Sequence, residues 1–312
     1  MEALLSPKTV TLADYTTFKI GGECAHFFEV KDTDQLKYAI FYANEKSLPF
    51  LILGGGSNIL FRDQGYNGVV IKLGMESFSI EDCILKTQSG ARMNSIVRHA
   101  VENGYSGIEW ASGLPGTVGG AVRGNAGAFG GCISDNIISV VYMDEKGVSR
   151  EAGKEKCSFG YRDSMFKHNR RHIILEAEFK LNKDKSPEEL KEKYEKCINY
   201  RNEKHPLNLP NAGSIFKNID DKKEIKQCMK INPNIKEFMK KWAGKVSSAY
   251  LIEDCNLKGV RIGGGRISEH HANFIVNENN ASCDDIRKLI RVVIEKVREK
   301  YAITLKPEIY IP

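Results

Sequence analysis

The stretch SGLPGTVGGAVRGNAGAFGG, residues 112–131, decides how the chain is read. It is too rich in glycine to hold a continuous helix, because each glycine costs roughly 1 kcal/mol against alanine in a helix interior. Glycine offers bare backbone instead: amides and carbonyls that approach a large flat or anionic ligand with no side chain between. A second stretch of this kind lies upstream. The apolar strand LPFLIL (48–53) runs straight into GGGSN (54–58), where Ser57 and Asn58 add side-chain donors. This is neither common phosphate loop, since the third glycine of G-x-G-x-x-G falls at Ile59 and no G-K-[ST] follows. Alone, GGGSN reads equally well as a tight turn. Two such loops in one N-terminal region argue for a dinucleotide.

Outward from the loops, AHFFEV (25–30) reads as a strand. Asp32 with Gln35 then predicts a helix cap, followed by one apolar face of Leu36, Ala39, Ile40 and Ala43. With the strand GVVIKL (68–73) this makes an α/β start. FSIEDCILKTQSG (78–90) predicts a hairpin and Met93 to Val101 a helix ending near Gly104. SVVYMDEKGVSREA (139–152) is a second hairpin and HIILEAEFKL (172–181) a strand, so the middle is α+β. Ser186-Pro187-Glu188-Glu189 is a strong helix start, with cap, Pro at N1 and Glu at N3. The helix carries Leu190, Tyr194, Cys197, Ile198 and Arg201, gives way before Pro206, and reads as a linker between domains. The strand ANFIVN (272–277), an amphipathic helix from Ile286 to Val297 and a strand-like ITLKPEIYIP (303–312) complete the chain.

The 312 residues suffice for two or three domains. The excess of 46 basic over 40 acidic residues is spread thinly, and no nucleic-acid reading motif accompanies it. MEALLSPKTVTLADYTT has neither the basic nor the apolar region of a signal peptide, and no apolar run approaches the roughly 20 residues of a membrane span. A cytoplasmic protein is expected. Its eight cysteines form no C-x-x-C pair and read as reduced thiols. The seven histidines include no H-E-x-x-H, so no metal is expected.

TTFKIGG (16–22), LGGGSNIL (53–60), SGLPGTVGGAVRGNAGAFG (112–130), FGYRDSMFK (159–167), NAGSIFKN (211–218), LKGVRIGGG (257–265), HHANFIVN (270–277) and LKPE (305–308) occur in this order. Together they resemble the UDP-N-acetylenolpyruvoylglucosamine reductase family, flavoenzymes that make UDP-N-acetylmuramate for peptidoglycan. The resemblance implies an α+β fold: a vanillyl-alcohol-oxidase-type FAD-binding domain over 1–195, in lobes of about 1–70 and 71–195, then a substrate-binding domain over 196–312. It implies FAD along Gly54, Gly55, Gly56, Ser57 and Asn58 and along Ser112, Gly113, Pro115, Gly116, Thr117, Gly119, Gly120 and Ala121, with Asn125 and Gly127 nearby. GGGSN has no histidine of the kind that binds flavin covalently in some relatives of this fold, so the flavin is expected to be non-covalent. NADPH is the implied co-substrate and UDP-N-acetylglucosamine enolpyruvate the substrate, with no obligatory protein partner. The family's FKNP is FKNI here, and an unusual stretch, 220–242, follows it. The short path from Ser164 to Ile173 leaves no room for a tyrosine-bearing loop, as in the family's shorter subtype.

An enol ether accepts hydride only when its electrons are drawn toward the carboxylate, so a site needs a cation or donor there and an acid to deliver a proton. The resemblance assigns the charge role to Arg162, which on its own would pair with Asp163 at the surface. It assigns polarisation of the carboxyl to Glu308, otherwise an exposed terminal carboxylate. Ser214, right after Ala212-Gly213, would ordinarily be a turn serine; the resemblance makes it the proton donor. Lys204 matches the family's phosphate-contacting lysine, Asn218 its substrate-contacting amide, and His271 lies in the substrate-facing segment. The competing reading is a related FAD-dependent hydroxy-acid or sugar-lactone oxidase or dehydrogenase with the same flavin loops.

Overall fold

A computed structural model describes residues 5–312. They form two compact units: one contains the segment up to Val10, Cys24–Gly55 and Tyr66–Arg201, the other Thr11–Glu23, Gly56–Gly65 and Asn202–Pro312. The second unit therefore takes in two short N-terminal segments. No described helix is long and apolar enough to cross a membrane.

The first unit has two main sheets. In one, strands β1 (Lys8–Thr11), β2 (Glu23–Val30), β3 (Phe50–Leu53) and β4 (Val69–Leu73) lie in the order β1-β2-β4-β3. β4 pairs in parallel with both β2 and β3. Parallel neighbours need a crossover, and α1 (Thr33–Glu45) supplies it. The Asp32 carboxylate accepts from the Gln35 amide at 2.8 Å, so the predicted cap forms. Leu36, Ala39 and Ala43 are buried against Phe28, Val69 and Ile71.

The other sheet of this unit is antiparallel. Its strands are β5 (Phe78–Glu81) and β6 (Ile84–Gln88), followed after α2 (Met93–Glu102) and α3 (Val118–Arg123) by further strands. A two-strand ribbon, β7 (Gly127–Ala128) and β8 (Gly131–Cys132), and α4 (Ile133–Asn136) lead into β9 (Ile137–Met143), β10 (Ser149–Gly153), α5 (Met165–His168) and β11 (Ile173–Lys180). The order is β10-β9-β11-β6-β5. Of the Gly-rich 112–131, only Val118–Arg123 is helical. The unit closes on α6 (Pro187–Lys204), whose start is a reciprocal box: the Glu189 amide donates to Ser186 Oγ at 3.2 Å, and the Ser186 amide to Glu189 at 3.0 Å.

In the second unit β12 (Asn211–Ser214) precedes α7 (Lys222–Ile231), α8 (Ile235–Phe238) and α9 (Ser248–Asp254). Then come β13 (Arg261–Ile262), β14 (Gly265–Ile267), β15 (Phe274–Asn277) and α10 (Cys283–Tyr301). The sheet runs β12-β15-β14-β13. α10 buries Ile286, Leu289, Ile290, Val293 and Val297 in one core with Phe18, Ile20 and Leu60 from the early segments. Those segments are also hydrogen-bonded in: Asn277 Nδ2 donates to the Phe18 carbonyl at 3.2 Å, and the Asp63 carboxylate accepts from the first amide of α10 at 2.9 Å. The expected terminal strand is instead two isolated bridges, Phe216 with Pro307 and Ile59 with Tyr310. Pro307 has no N–H with which to continue a ladder.

Candidate active site

In the first unit the two glycine loops meet. A Cβ on Gly55 would stand 2.6 Å from the Gly116 Cα, so only glycine permits this approach. The second loop is pinned from behind, with the Gly119 amide donating to Ser89 at 2.8 Å and the Val118 amide to Ala91 at 2.9 Å. Buried between the loops, Thr117 Oγ1 has no hydrogen-bond partner among the described residues, and a Cβ on Gly54 would lie 2.6 Å from it. Ser89 Oγ is orphaned in the same way. Among the described residues the Gly55 amide donates to no backbone acceptor. An unmade buried hydrogen bond costs about 1–3 kcal/mol. Bare backbone with unclaimed donors therefore fits a cofactor that brings acceptors, as FAD does.

Asn125 and Gly127 border these loops and bind Arg162. Arg162 Nη2 donates to the Gly127 carbonyl at 2.5 Å and Nη1 to the Asn125 carbonyl at 3.5 Å. The Asn125 side chain is itself held, donating to the Gly160 carbonyl at 2.9 Å and accepting from the Ser134 amide at 3.0 Å. The Asp163 carboxylate pairs with His168, at 2.9 Å. The half-buried guanidinium donates to these two loop carbonyls, and Lys167 Nζ donates to the Arg162 carbonyl at 2.9 Å.

The second unit gathers a different set. Ser214 lies opposite Phe274 in the β12–β15 pair. On its other side the C-terminal segment runs past, with the Glu308 amide donating to the Ile215 carbonyl at 2.7 Å and the Lys217 amide to Lys306 at 3.0 Å. Ser214 and Glu308 are therefore on adjacent extended segments. Asn58 joins them, donating from Nδ2 to the Glu308 carbonyl at 3.3 Å. Gly213 has φ +74° with open space around it, and the half-buried Ser214 hydroxyl makes no hydrogen bond among the described residues.

His271 packs on Phe274, ring centres 4.7 Å apart, with His205 at 5.5 Å from His271 and 4.8 Å from Phe274. Its Nδ1 accepts from the Asn273 amide at 3.2 Å, which leaves the proton on Nε2. Burial pushes the imidazolium down to about 4, so the ring is neutral near pH 7. Lys204 is exposed at the end of α6. Asn218 Oδ1 accepts from the Ser248 amide at 3.1 Å, at the start of α9. Ile219, where the family has proline, exchanges both backbone hydrogen bonds with Val246 at 2.9 Å and clasps the base of the α7–α8 excursion. The sequence motifs did not mark Ser89, Arg201 or His205 as site residues. Only Arg201 carried a signal, as a charge on the otherwise mainly apolar stripe of α6. Among the described residues no cluster of His, Cys, Asp and Glu could hold a metal, and all eight cysteines are free thiols.

Comparison with known proteins adds names to this arrangement. A profile described as an FAD binding domain matches residues 24–153, and one described as the C-terminal domain of UDP-N-acetylenolpyruvoylglucosamine reductase matches 205–312. The UDP-N-acetylenolpyruvoylglucosamine reductase of Caldicellulosiruptor bescii is 39% identical over 96% of this chain and 88% of its own. That of Acaryochloris marina is 35% identical over 96% and 90%. The crystal structure of the enzyme from Thermus caldophilus is similar with a TM-score of 0.78, at 28% identity, over 99% of both chains.

Proposed function

Because this chain belongs to the UDP-N-acetylenolpyruvoylglucosamine reductase family, FAD-dependent oxidoreductases of peptidoglycan synthesis, we propose that Ser214 delivers the proton of its reaction, that Arg162 and Glu308 carry the developing charge, and that NADPH supplies the hydride. The substrate is the enolpyruvyl ether of UDP-N-acetylglucosamine. Bound FAD, held without a covalent link, supplies the hydride relay between the two nucleotides.

Everything else falls to side chains. As hydride adds to one end of the double bond, negative charge grows on the carbon beside the carboxylate. A guanidinium matches a carboxylate in a two-pronged, charge-assisted contact, which is the work assigned to Arg162. Glu308 is assigned the polarisation of the substrate carboxyl, drawing electrons toward it. Ser214 then gives its hydroxyl proton to the carbanion-like carbon, which a weak acid does only beside such charge. Lys204 holds phosphate, and Asn218 and His271 hold the sugar nucleotide. Residues 1–195 are assigned to FAD and 196–312 to the substrate. The path 165–173, with one short helix, fits the subtype without a tyrosine loop.

The observation that carries this reading is the Ser214 hydroxyl, which makes no hydrogen bond among the described residues and lies on a strand flanked by Phe274 and the Glu308 segment. The test is NADPH oxidation under anaerobic conditions. Turnover is expected only when the UDP-enolpyruvyl sugar is added. Turnover on a hydroxy acid or a sugar lactone instead would overturn it.

A further inference from the structure

Arg201 carries a charge that the chain does not neutralise. It sits on the buried stripe of α6 with Leu190 and Cys197 and is only 8% exposed. Its Nε donates to the Ser112 carbonyl at 2.8 Å, and its guanidinium carbon lies 5.1 Å from the centre of the Phe129 ring. Nη2 is enclosed with no hydrogen-bond partner among the described residues. Among the described residues no carboxylate pairs with Arg201. Glu109, whose carbonyl accepts from Ser112 Oγ, pairs with Lys185 at 2.7 Å and Lys193 at 3.8 Å. Burial pulls the guanidinium below its usual pKa. An unpaired buried charge is costly, and an anion that arrives with a ligand removes the cost.

The position of Arg201 says which ligand. It fastens both ends of the glycine-rich stretch, through Ser112 at one end and Phe129 at the other. A Cβ on Gly113 would stand 2.9 Å from its Cδ. Phe129 is 44% exposed, with φ +49°, and its ring meets Tyr200 edge-on at 5.4 Å. We propose that Arg201 is an anion anchor of the cofactor loop, whose guanidinium takes the diphosphate of FAD. The planar fork of donors suits phosphate oxygens. The inference rests on FAD being the resident cofactor.

The test uses the full chain stripped of flavin and titrated with FAD, in wild type, Arg201→Met and Arg201→Lys. Loss of a charged hydrogen-bonding group predicts FAD affinity about 10- to 100-fold weaker in Arg201→Met. Arg201→Lys, which keeps the charge but not the fork, is expected to fall between. The flavin-free melting temperature of Arg201→Met should change little, because losing the hydrogen bond to Ser112 is offset by removing a lone buried charge. Binding of UDP-N-acetylglucosamine to the FAD-saturated protein should be unchanged. Unchanged FAD affinity overturns the proposal. So does a weakened UDP-sugar with normal FAD, which would assign the anion to the substrate. A lower flavin-free melting temperature at normal FAD affinity would make Arg201 a structural clasp. Should Arg201→Met not fold, normal FAD affinity in Arg201→Lys overturns it alone. Wild type that takes up no FAD would remove the premise itself.

Discussion

Arg162 holds φ +54°, a left-handed conformation that costs a non-glycine residue roughly 1–2 kcal/mol. Its guanidinium donates to the Asn125 and Gly127 carbonyls. Arg162→Ala is expected to keep its flavin while turnover falls about 10²–10³-fold, as for loss of one transition-state donor; bound flavin per chain and kcat measure the two effects. Full turnover would leave Arg162 a loop-bracing residue. His271 gives a pH prediction. Its folded-state value, about 4, lies below the ordinary 6.5, so the unfolded chain binds the proton first as pH falls. The stability owed to the neutral ring is complete above about pH 6.5 and lost toward pH 4, by at most about 3 kcal/mol. Melting temperatures across that window should fall less steeply in His271→Gln than in wild type. These residue types were legible in the motifs. Their partners were not, because a motif names a residue and says nothing of which carbonyl its side chain meets.

Local elements were read well wherever the signal was local. The Asp32 cap, the Ser186–Glu189 box and the stripe of α10 depend on residues three or four apart, and each formed as expected. The C-terminal ITLKPEIYIP failed because its partners, Phe216 and Ile59, are distant in sequence and Pro307 interrupts any ladder. The excursion after FKNI proved helical, over Lys222–Ile231 and Ile235–Phe238, with stacked Phe238 and Trp242 5.1 Å apart. Its base explains the departure from the family's proline, since Ile219 uses its N–H to reach Val246 at 2.9 Å. Ile219→Pro should therefore destabilise the protein by about 1–3 kcal/mol, the cost of an unmade buried hydrogen bond, read from denaturant unfolding. No change would mean the clasp is dispensable. At the glycine loops Gly55→Ala forces a methyl to 2.6 Å from the Gly116 Cα. A weaker hold on FAD is expected, from displaced loops, with a stability loss of about 1–3 kcal/mol typical of overpacking; flavin titration and melting check it.

For the whole molecule the α+β, FAD-binding character was legible because two glycine loops and an ordered series of motifs spanned nearly the entire chain. The composition of the second unit was not. Residues 11–23 and 56–65 join it through contacts such as Thr17 Oγ1 to the Asn211 carbonyl at 2.7 Å and the Leu60 amide to Tyr310 at 2.9 Å. Contacts spanning some two hundred residues or more leave no periodicity in the sequence. The central claim is that this chain reduces an enolpyruvyl sugar with Ser214 as acid. It is tested most directly by anaerobic single-turnover mixing of wild type and Ser214→Ala, following NADPH consumption and UDP-N-acetylmuramate formation separately. NADPH consumption needs no proton on substrate carbon and should stay near wild type. Product formation should slow by about 10²–10⁴-fold, the range for a lost general acid, with part of the loss recovered in Ser214→Cys. Equal slowing of both steps would make Ser214 a pocket-shaping residue, and no slowing of either would return it to a turn serine after Gly213.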